Sequence, residues 1–483
     1  MTRLFFDRDR FWYIGGLVMI ALLAIATRFF QLGYGSIIRD EMWTALYYKE
    51  RVSSLTGFLY YNILNQFVDI LGESRWSLRL PAAVLGVVGI VLVYVVTARA
   101  FGAMVAFIVG LILIFNPWHL YYSQNARFYT GLLIFCFLGQ MCYYYAFLRQ
   151  KNIALLASVI FAGIGFLFHP TAVFSVVPCF LFSVYVLFVA KSKEYRDVAV
   201  KYIVVCLVAS VLVIPVLLNI VEVWRIEYSR VGTEGVFHYK SILAAVGEAG
   251  RLAYRVFDKM GLLLSICSLL GLWAMVVRFR ERGVFLLMCA VVPVLLLLVL
   301  DQVLPAVRPR YAFFALPFFA IGASYLCYEV SVRFVDYGLM RYFLVGIVLV
   351  SLLPGFVSHY TAKQLEVEDA LAIIDRYYRD GDVVMAHERD AIYAIQKGYP
   401  QWEFVKAWGE RWKEEAVRAT SEGHRVWFVV TSSNVPGVLK DLELWLMDHA
   451  ALIWREDRKG FEYGLTGYEV WMMSSNTGLK NLL

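Results

Sequence analysis

Two adjacent carboxylates, Asp40 and Glu41, stand in the stretch Ser36-Ile37-Ile38-Arg39-Asp40-Glu41-Met42-Trp43-Thr44-Ala45-Leu46-Tyr47-Tyr48. Apolar residues recur there at 42, 43, 46 and 47, the spacing of a helix with one apolar face. Such a helix is predicted to lie along a membrane surface with its acidic end free. Asp is also a preferred helix cap, so the pair taken alone reads first as a cap. Arg75 and Arg79 in Glu73-Ser74-Arg75-Trp76-Ser77-Leu78-Arg79-Leu80-Pro81 are four apart and share a helix face. They either snorkel at a helix entrance or anchor a lipid phosphate.

A third group lies in Asn116-Pro117-Trp118-His119-Leu120-Tyr121-Tyr122-Ser123-Gln124-Asn125-Ala126-Arg127-Phe128-Tyr129. An aromatic belt at the membrane edge accounts for some of these rings. It does not account for Gln124, Asn125 and Arg127 at the start of an apolar run, because polar groups at membrane depth need protein or a cavity beside them. Arg308 and Arg310 stand before a later apolar run. His169, next to Pro170, reads as a turn residue.

These groups must be positioned by membrane helices. The chain has 483 residues, 60% of them hydrophobic and 17% charged, which is the composition of a polytopic membrane protein. About eleven spans are expected, near 11–32, 80–98, 102–118, 128–148, 152–168, 171–190, 202–222, 260–277, 283–304, 310–329 and 341–358. The first lacks a small-residue cleavage site and reads as an anchor, not a removable signal. All seven cysteines fall in apolar spans and read as small core hydrophobes.

Residues 1–360 hold 30 Lys and Arg against 18 Asp and Glu, and residues 361–483 hold 15 against 20. The membrane part is therefore basic, which suits anionic head groups, and nothing points to a nucleic-acid partner. With the N-terminus cytoplasmic, the short inner loops carry Arg99, Arg149 and Lys151, Lys191 to Lys201, Arg278 to Arg282, and Arg333 and Arg341, as the positive-inside rule requires. Asp40-Glu41, the Arg127 turn, the Arg308–Arg310 turn and the tail then share the extracytoplasmic side. The inner side keeps short basic turns and no phosphate-binding glycine loop. The spans carry no charge near their centres, which argues against an ion-coupled carrier. A passive flippase or transporter of lipid-linked sugar stays as the alternative, together with a polytopic scaffold. The segment from Glu222 to Lys259 is long enough for a lid over a cavity, or is a connector with an amphipathic helix near 241–257.

After residue 360 the composition changes. Helices near 366–379, 410–421 and 436–449 alternate with strands near 382–386, 425–430, 451–456 and 467–473, the pattern of a small α/β domain. It shows no nucleotide fingerprint, metal spacing or nucleophile elbow and reads as an accessory or acceptor-side domain.

An Asp-Glu after the first span, Arg-Leu-Pro entering the second, and Tyr-Ser-Gln-x-Ala-Arg-x-Tyr entering the fourth resemble the GT-C glycosyltransferases. The nearest branch is that of the protein O-mannosyltransferases and the aminoarabinose transferase acting on lipid A. Arg308-Pro309-Arg310-Tyr311 with Pro317 resembles that branch's Pro-Arg-Tyr motif. The sequence departs in having Asn125 where an acidic residue is frequent. The resemblance implies a polytopic α-helical GT-C-like fold, about eleven transmembrane helices plus interfacial helices, over 1–360, with a soluble extracytoplasmic α/β domain over 361–483. It implies a multi-pass protein of the plasma (inner) membrane that moves a sugar from a polyprenyl-phosphate donor to an acceptor hydroxyl on a lipid, glycan or protein. Asp40 is then the candidate base and Glu41 its orienting partner. Arg127 and Arg310 would neutralise the departing phosphate, with Arg75 and Arg79 in reserve and Tyr129 and Tyr311 as donors of hydrogen bonds. No cofactor is expected. The Asp40-Glu41 pair leaves a divalent metal open, although few other outer carboxylates or histidines are placed to help hold one.

The orientation has a direct test. Single cysteines at Gly35 and Ser433 should both react with a membrane-impermeant thiol reagent added from outside the cell. Labelling of the two from opposite sides would contradict a one-sided site.

Overall fold

The computed structural model describes residues 2–35, 37, 40–53, 56–189, 193–229, 242–302, 307–361, 367–386, 389–406, 411–431, 438–460 and 464–474. In chain order the membrane part holds α1 (Thr2–Phe29), α2 (Asp40–Tyr47), α3 (Phe58–Leu71), α4 (Arg75–Phe101) and α5 (Ala103–Phe115). It continues with α6 (Pro117–Ser123), α7 (Tyr129–Arg149), α8 (Asn152–Phe168), α9 (Val173–Val189) and α10 (Lys193–Ser229). Then come α11 (Ile242–Met260), α12 (Leu262–Phe279), α13 (Glu281–Leu300), α14 (Leu316–Arg333) and α15 (Phe343–Thr361). The tail adds α16 (Val367–Tyr377), β1 (Val383–Ala386), α17 (Arg389–Gly398), β2 (Glu403–Lys406), α18 (Arg411–Ser421), β3 (Val426–Thr431), α19 (Val438–His449), β4 (Ala451–Gly460) and β5 (Gly464–Met473).

Each of the eleven expected spans coincides with a helix: α1, α4, α5, α7, α8, α9, α10, α12, α13, α14 and α15. Among the described residues, seven helices are long and apolar enough to cross a membrane, or eight if a bent pair counts as one span. The chain is a multi-pass membrane protein. The apolar parts Tyr13–Phe29 and Asn152–Phe168 are shorter. Helix α10 continues to Ser229, into the segment read as a lid or connector. The middle of that segment, 230–241, lies outside the described residues, and α11 supplies the amphipathic helix expected there.

The chain clusters into two compact units: Met1–Leu32, Lys49–Gly72 and Ser77–Val357 form the first, and Gly33–Tyr48, Glu73–Trp76 and Ser358–Leu483 the second. The straight span expected over 102–118 is instead broken, with α5 and α6 meeting at 65°. The sequence cause is Asn116-Pro117. Pro117 sits at the first position of α6, and the Asn116 side chain accepts from the His119 N–H at 3.0 Å, capping the new helix. The break leaves the last carbonyls of α5 without intrahelical partners. Arg28 of α1, fully buried, supplies them: its guanidinium donates to the carbonyls of Leu113 and Ile114, each at 2.8 Å. A cation there also suits the negative end of the α5 dipole.

Elsewhere in this unit small residues let helices close. A Cβ on Gly271 of α12 would stand 1.9 Å from the Gly322 carbonyl oxygen of α14, so both positions need glycine. The Ser268 hydroxyl donates to the Phe319 carbonyl across the same contact, as in other membrane helix pairs with small-residue interfaces. The cysteines are free thiols, buried or half-buried in the helices.

In the second unit the strands run in the order β2-β1-β3-β5-β4. The pairs β1–β2 and β1–β3 are parallel; β3–β5 and β4–β5 are antiparallel. Alternation along the strands divides the core. Val384, Trp427, Val470 and Met472 pack with Leu371 and Ile374 of α16 and Ile392 and Ile395 of α17. Met385, Phe428 and Trp471 pack on the other face with Trp412 of α18 and Leu446 of α19. Asp382, buried before β1, accepts from Arg425 Nε and Trp427 Nε1, both at 2.9 Å. Glu469 likewise accepts from Trp471 Nε1 at 2.8 Å and pairs with Arg455 at 3.2 Å. These buried carboxylates are thus satisfied by charged or indole donors. Helix α17 and strand β2 have no counterpart in the sequence expectation.

Candidate functional site

Three separate corners of the first unit bring candidate site residues to one end of its helices. The first is the turn between α6 and α7. Gln124 Nε2 donates to the carbonyls of Thr27, Arg28 and Phe30 at 3.3, 3.0 and 2.8 Å, fastening the turn to the end of α1. Arg127 follows and Tyr129 opens α7. The second corner joins α8 to α9 through His169 and Pro170. The third is the 3₁₀ turn Pro309–Ala315 before α14, which carries Arg310 and Tyr311. Phe313 of that turn is buried against Trp118 and Tyr122, at ring separations of 5.2 and 4.9 Å.

His169 lies among these groups. Its ring stacks on Phe128 at 4.6 Å and on Tyr311 at 5.9 Å, and Tyr129 is 6.1 Å away. The Arg310 guanidinium is 6.0 Å from the rings of both Tyr129 and Tyr311, within cation–π reach. Arg127 lies 4.7 Å over Phe128, and its Nη1 donates to the Tyr61 hydroxyl at 3.4 Å. Arg127, Tyr129, Arg310 and Tyr311, up to 184 positions apart in sequence, therefore converge. His169 and Tyr61 join them and were not singled out as site residues. His169, beside Pro170, reads in the sequence as a turn residue.

The protonation state of His169 follows from its surroundings. Burial, then the nearby charges of Arg127 and Arg310, push its pKa from 6.5 down to about 3. The Thr171 backbone N–H donates to Nδ1 at 3.3 Å, so Nδ1 is the acceptor and the ring is the Nε2–H tautomer. The corner thus holds two cationic guanidiniums and one neutral N–H donor around a ring of aromatic side chains. Such a set suits a phosphate, which takes charge-assisted hydrogen bonds from arginine.

Arg79 is buried in the first unit and donates to the Leu32 carbonyl at 3.2 Å, at the end of α1. Arg75 belongs to the second unit and pairs with Glu368 of α16. The two arginines share a helix and belong to different compact units. Asp40 is the first residue of α2, and its side chain lies outside the described residues. Glu41, Met42, Thr44, Ala45 and Tyr48 are buried, and α2 packs beside α17 within the second unit. The burial of this face, Glu41 included, departs from the expectation of a helix lying on the membrane surface. The apolar face of α2 is covered by protein. Among the described residues no group of three or more His, Cys, Asp or Glu is placed to hold a metal ion.

Residues 56–218 match the family model described as dolichyl-phosphate-mannose-protein mannosyltransferase. The chain is similar to the crystal structure of ArnT from Cupriavidus metallidurans in the apo state, with a TM-score of 0.54 at 14% identity over 96% of this chain and 98% of that one. For ArnT bound to undecaprenyl phosphate the TM-score is 0.51 at 14% identity, over 94% and 98%. The apo oligosaccharyltransferase of Archaeoglobus fulgidus gives 0.56 at 11% identity, over 87% of this chain and 70% of that one. This is the GT-C glycosyltransferase fold. No curated protein is significantly similar in sequence. The GT-C fold thus extends over both units, whereas the family match covers α3 to α9 and part of α10 and includes Arg79, Arg127, Tyr129 and His169.

The buried ring makes a prediction about acid stability. Unfolded, His169 takes up a proton below about 6.5; folded, it stays neutral down to about 3. Acidification through this window therefore favours the unfolded state, and stability is lost as pH falls. Thermal unfolding in detergent should show His169→Gln losing less stability than the parent between pH 7 and pH 4. An equal loss in both would mean that the ring is not buried in its neutral form.

Proposed function

We propose that this protein is a membrane glycosyltransferase that takes a sugar from a polyprenyl-phosphate donor and gives it to an acceptor hydroxyl on the extracytoplasmic face, with inversion at the anomeric carbon. The observation that carries this reading is the convergence of Arg127, Arg310 and the neutral Nε2–H of His169 at one end of a GT-C helix bundle. Arginines half-buried among aromatic rings stabilise a phosphate's negative charge more strongly than they would in water. Two of the similar structures support the donor class: ArnT was crystallised with undecaprenyl phosphate, and the archaeal oligosaccharyltransferase was solved with dolichol-phosphate.

In the proposed reaction the acceptor oxygen attacks the anomeric carbon as the bond from that carbon to the phosphate oxygen breaks. The phosphate leaves with the electron pair, and Arg127 and Arg310 take up its growing charge. Tyr129 and Tyr311 are the proposed hydroxyl donors beside them. The acceptor's proton goes to a general base, which we assign to Asp40, with Glu41 orienting it. A phosphate leaving group needs little protonation, so a single base suffices. The base rests on the position of the Asp-Glu motif after the first span. The proposed setting is the plasma (inner) membrane, N-terminus cytoplasmic, with the basic short loops on the cytoplasmic side. The C-terminal α/β unit is then extracytoplasmic.

Asp40→Asn keeps the side chain's size and its capping ability. It should fold and bind the lipid donor normally while turnover falls on the order of a hundred- to ten-thousand-fold. Arg127→Gln and Arg310→Gln should weaken binding of polyprenyl phosphate by roughly tenfold or more each, the usual worth of a charged hydrogen bond. Near-normal turnover in Asp40→Asn would move the base to another residue. Unchanged lipid affinity in both arginine variants would remove the phosphate from this corner.

A further inference from the structure

The opposite end of the same helices holds a second charged feature. From Tyr129 to Tyr144 along α7 is about 22 Å at the rise of an α-helix. At that distance a cavity of about 290 Å³ opens between the α4–α5 corner, α7 and the α12–α13 corner, closed behind by α14. Its walls include Phe101, Tyr144, Tyr325, Arg278, Arg282 and Glu329. The volume is at the small end for ligand sites, enough for a head group and too little for a large metabolite.

The charges in this cavity are unevenly matched. Arg278 pairs with Glu329, and the Tyr325 hydroxyl donates to the same carboxylate at 2.7 Å. Glu329 is thereby used up. Arg282 lines the cavity as well, and among the described residues no carboxylate lies within ion-pair distance of it. Arg99 and Arg280 stand on the two flanking corners, and the remaining nearby acid is Glu281. The pocket is therefore net positive, with an aromatic floor.

The α12–α13 corner is also built to a fixed shape. Arg280 holds a positive φ of 47°, unusual for a residue with a side chain. A Cβ on Gly283 would stand 2.3 Å from the Met275 carbonyl, so the two helices touch through backbone. Arg278 and Arg282 straddle this turn and are held on either side of it. Beside the cavity, α12 turns an apolar face outward, with Trp273 63% and Val277 69% exposed. In a membrane protein such a face meets acyl chains.

We propose that this cavity binds the phosphate group of an anionic membrane lipid, with Arg282 as its principal ligand and the exposed α12 face receiving the lipid's chains. Basic pockets between membrane helices recognise such head groups, and an arginine fork matches phosphate geometry. The site is distinct from the Arg127–Arg310 corner and independent of the sugar-transfer reading.

The test uses the full chain, purified in detergent and stripped of lipid. Phosphatidylglycerol, phosphatidylcholine or inorganic phosphate is added, and both the unfolding temperature and lipid retention by native mass spectrometry are recorded. Phosphatidylglycerol should raise the unfolding temperature and stay bound, while phosphatidylcholine should do neither. Arg282→Gln should weaken phosphatidylglycerol retention at least tenfold. Ala100→Asp, which adds a carboxylate at the cavity wall without touching an arginine, should also weaken retention. A rise with inorganic phosphate alone, lost in Arg282→Gln, would keep the phosphate site and assign it to a soluble ligand. Equal retention by the parent, Arg282→Gln and Ala100→Asp, or no response to either phosphate source, would overturn the proposal.

Discussion

The fold of the membrane unit depends on a buried cation at a broken helix. Arg28 carries a full charge with none of its surface exposed, a costly arrangement in a membrane protein. The cost is offset because every contact it makes solves another problem. The Leu113 and Ile114 carbonyls at the end of α5 have lost their helical partners at Asn116-Pro117, and Arg28 replaces them. Its Nη2 also lies 3.0 Å from His119 Nδ1 inside α6. Gln124 returns the favour by donating to the carbonyls that end α1. Each helix end satisfies the other's orphan groups, so the turn carrying Arg127 is set by hydrogen bonds and not by loose packing. Removal of either partner would leave several buried backbone groups unpaired.

This constraint explains how a positive corner can exist beside a lipid bilayer. Arg127 and Arg310 are half-buried cations that both act on His169. The 3₁₀ turn at Pro309 is pinned by Phe313 against α6, and the α6–α7 turn is pinned by Gln124. The scaffold therefore holds two guanidiniums near a neutral imidazole. Preorganised donors of this kind stabilise developing negative charge without reorganising during reaction. Asp40 and Glu41 belong to a helix of the other compact unit. The role proposed for them rests on the motif and on chemistry, and the one proposed for the arginines draws also on their convergence with Tyr129 and Tyr311.

Much of this was legible in the sequence, for reasons that differ by element. Long apolar runs have one stable form in a bilayer, the helix, so the runs read as helices even where, as at 102–118, the structure breaks them or leaves them short of a full span. In the tail, Val383–Ala386 and Val426–Thr431 are continuous apolar runs and read as buried strands. Glu403–Lys406 is a half-exposed edge strand with charged ends, and its pattern carries little strand signal. The convergence of Arg127 with Arg310 was legible only through motifs, because periodicity says nothing about contacts nearly two hundred residues apart. Arg28 was hidden by its place inside an apolar run, where a single arginine near the end reads as snorkelling. The clue was Pro117 with Asn116 before it, which marks a helix break and so a need for outside donors. His169 was discounted because a histidine beside proline suits any turn. The separation of Arg75 from Arg79 could not be read from helical spacing, which fixes a face and not the partner on it.

The central claim is that the positive corner serves phosphate release during sugar transfer. The most direct measurement incubates the purified protein in liposomes with a panel of polyprenyl-phosphate sugars carrying labelled sugar and a membrane extract as acceptor. It then follows the label and the free polyprenyl phosphate together. The account predicts that label moves to an acceptor in step with release of polyprenyl phosphate, and that the product has the opposite anomeric configuration from the donor. Movement of intact donor between leaflets with no transfer and no released polyprenyl phosphate would contradict it.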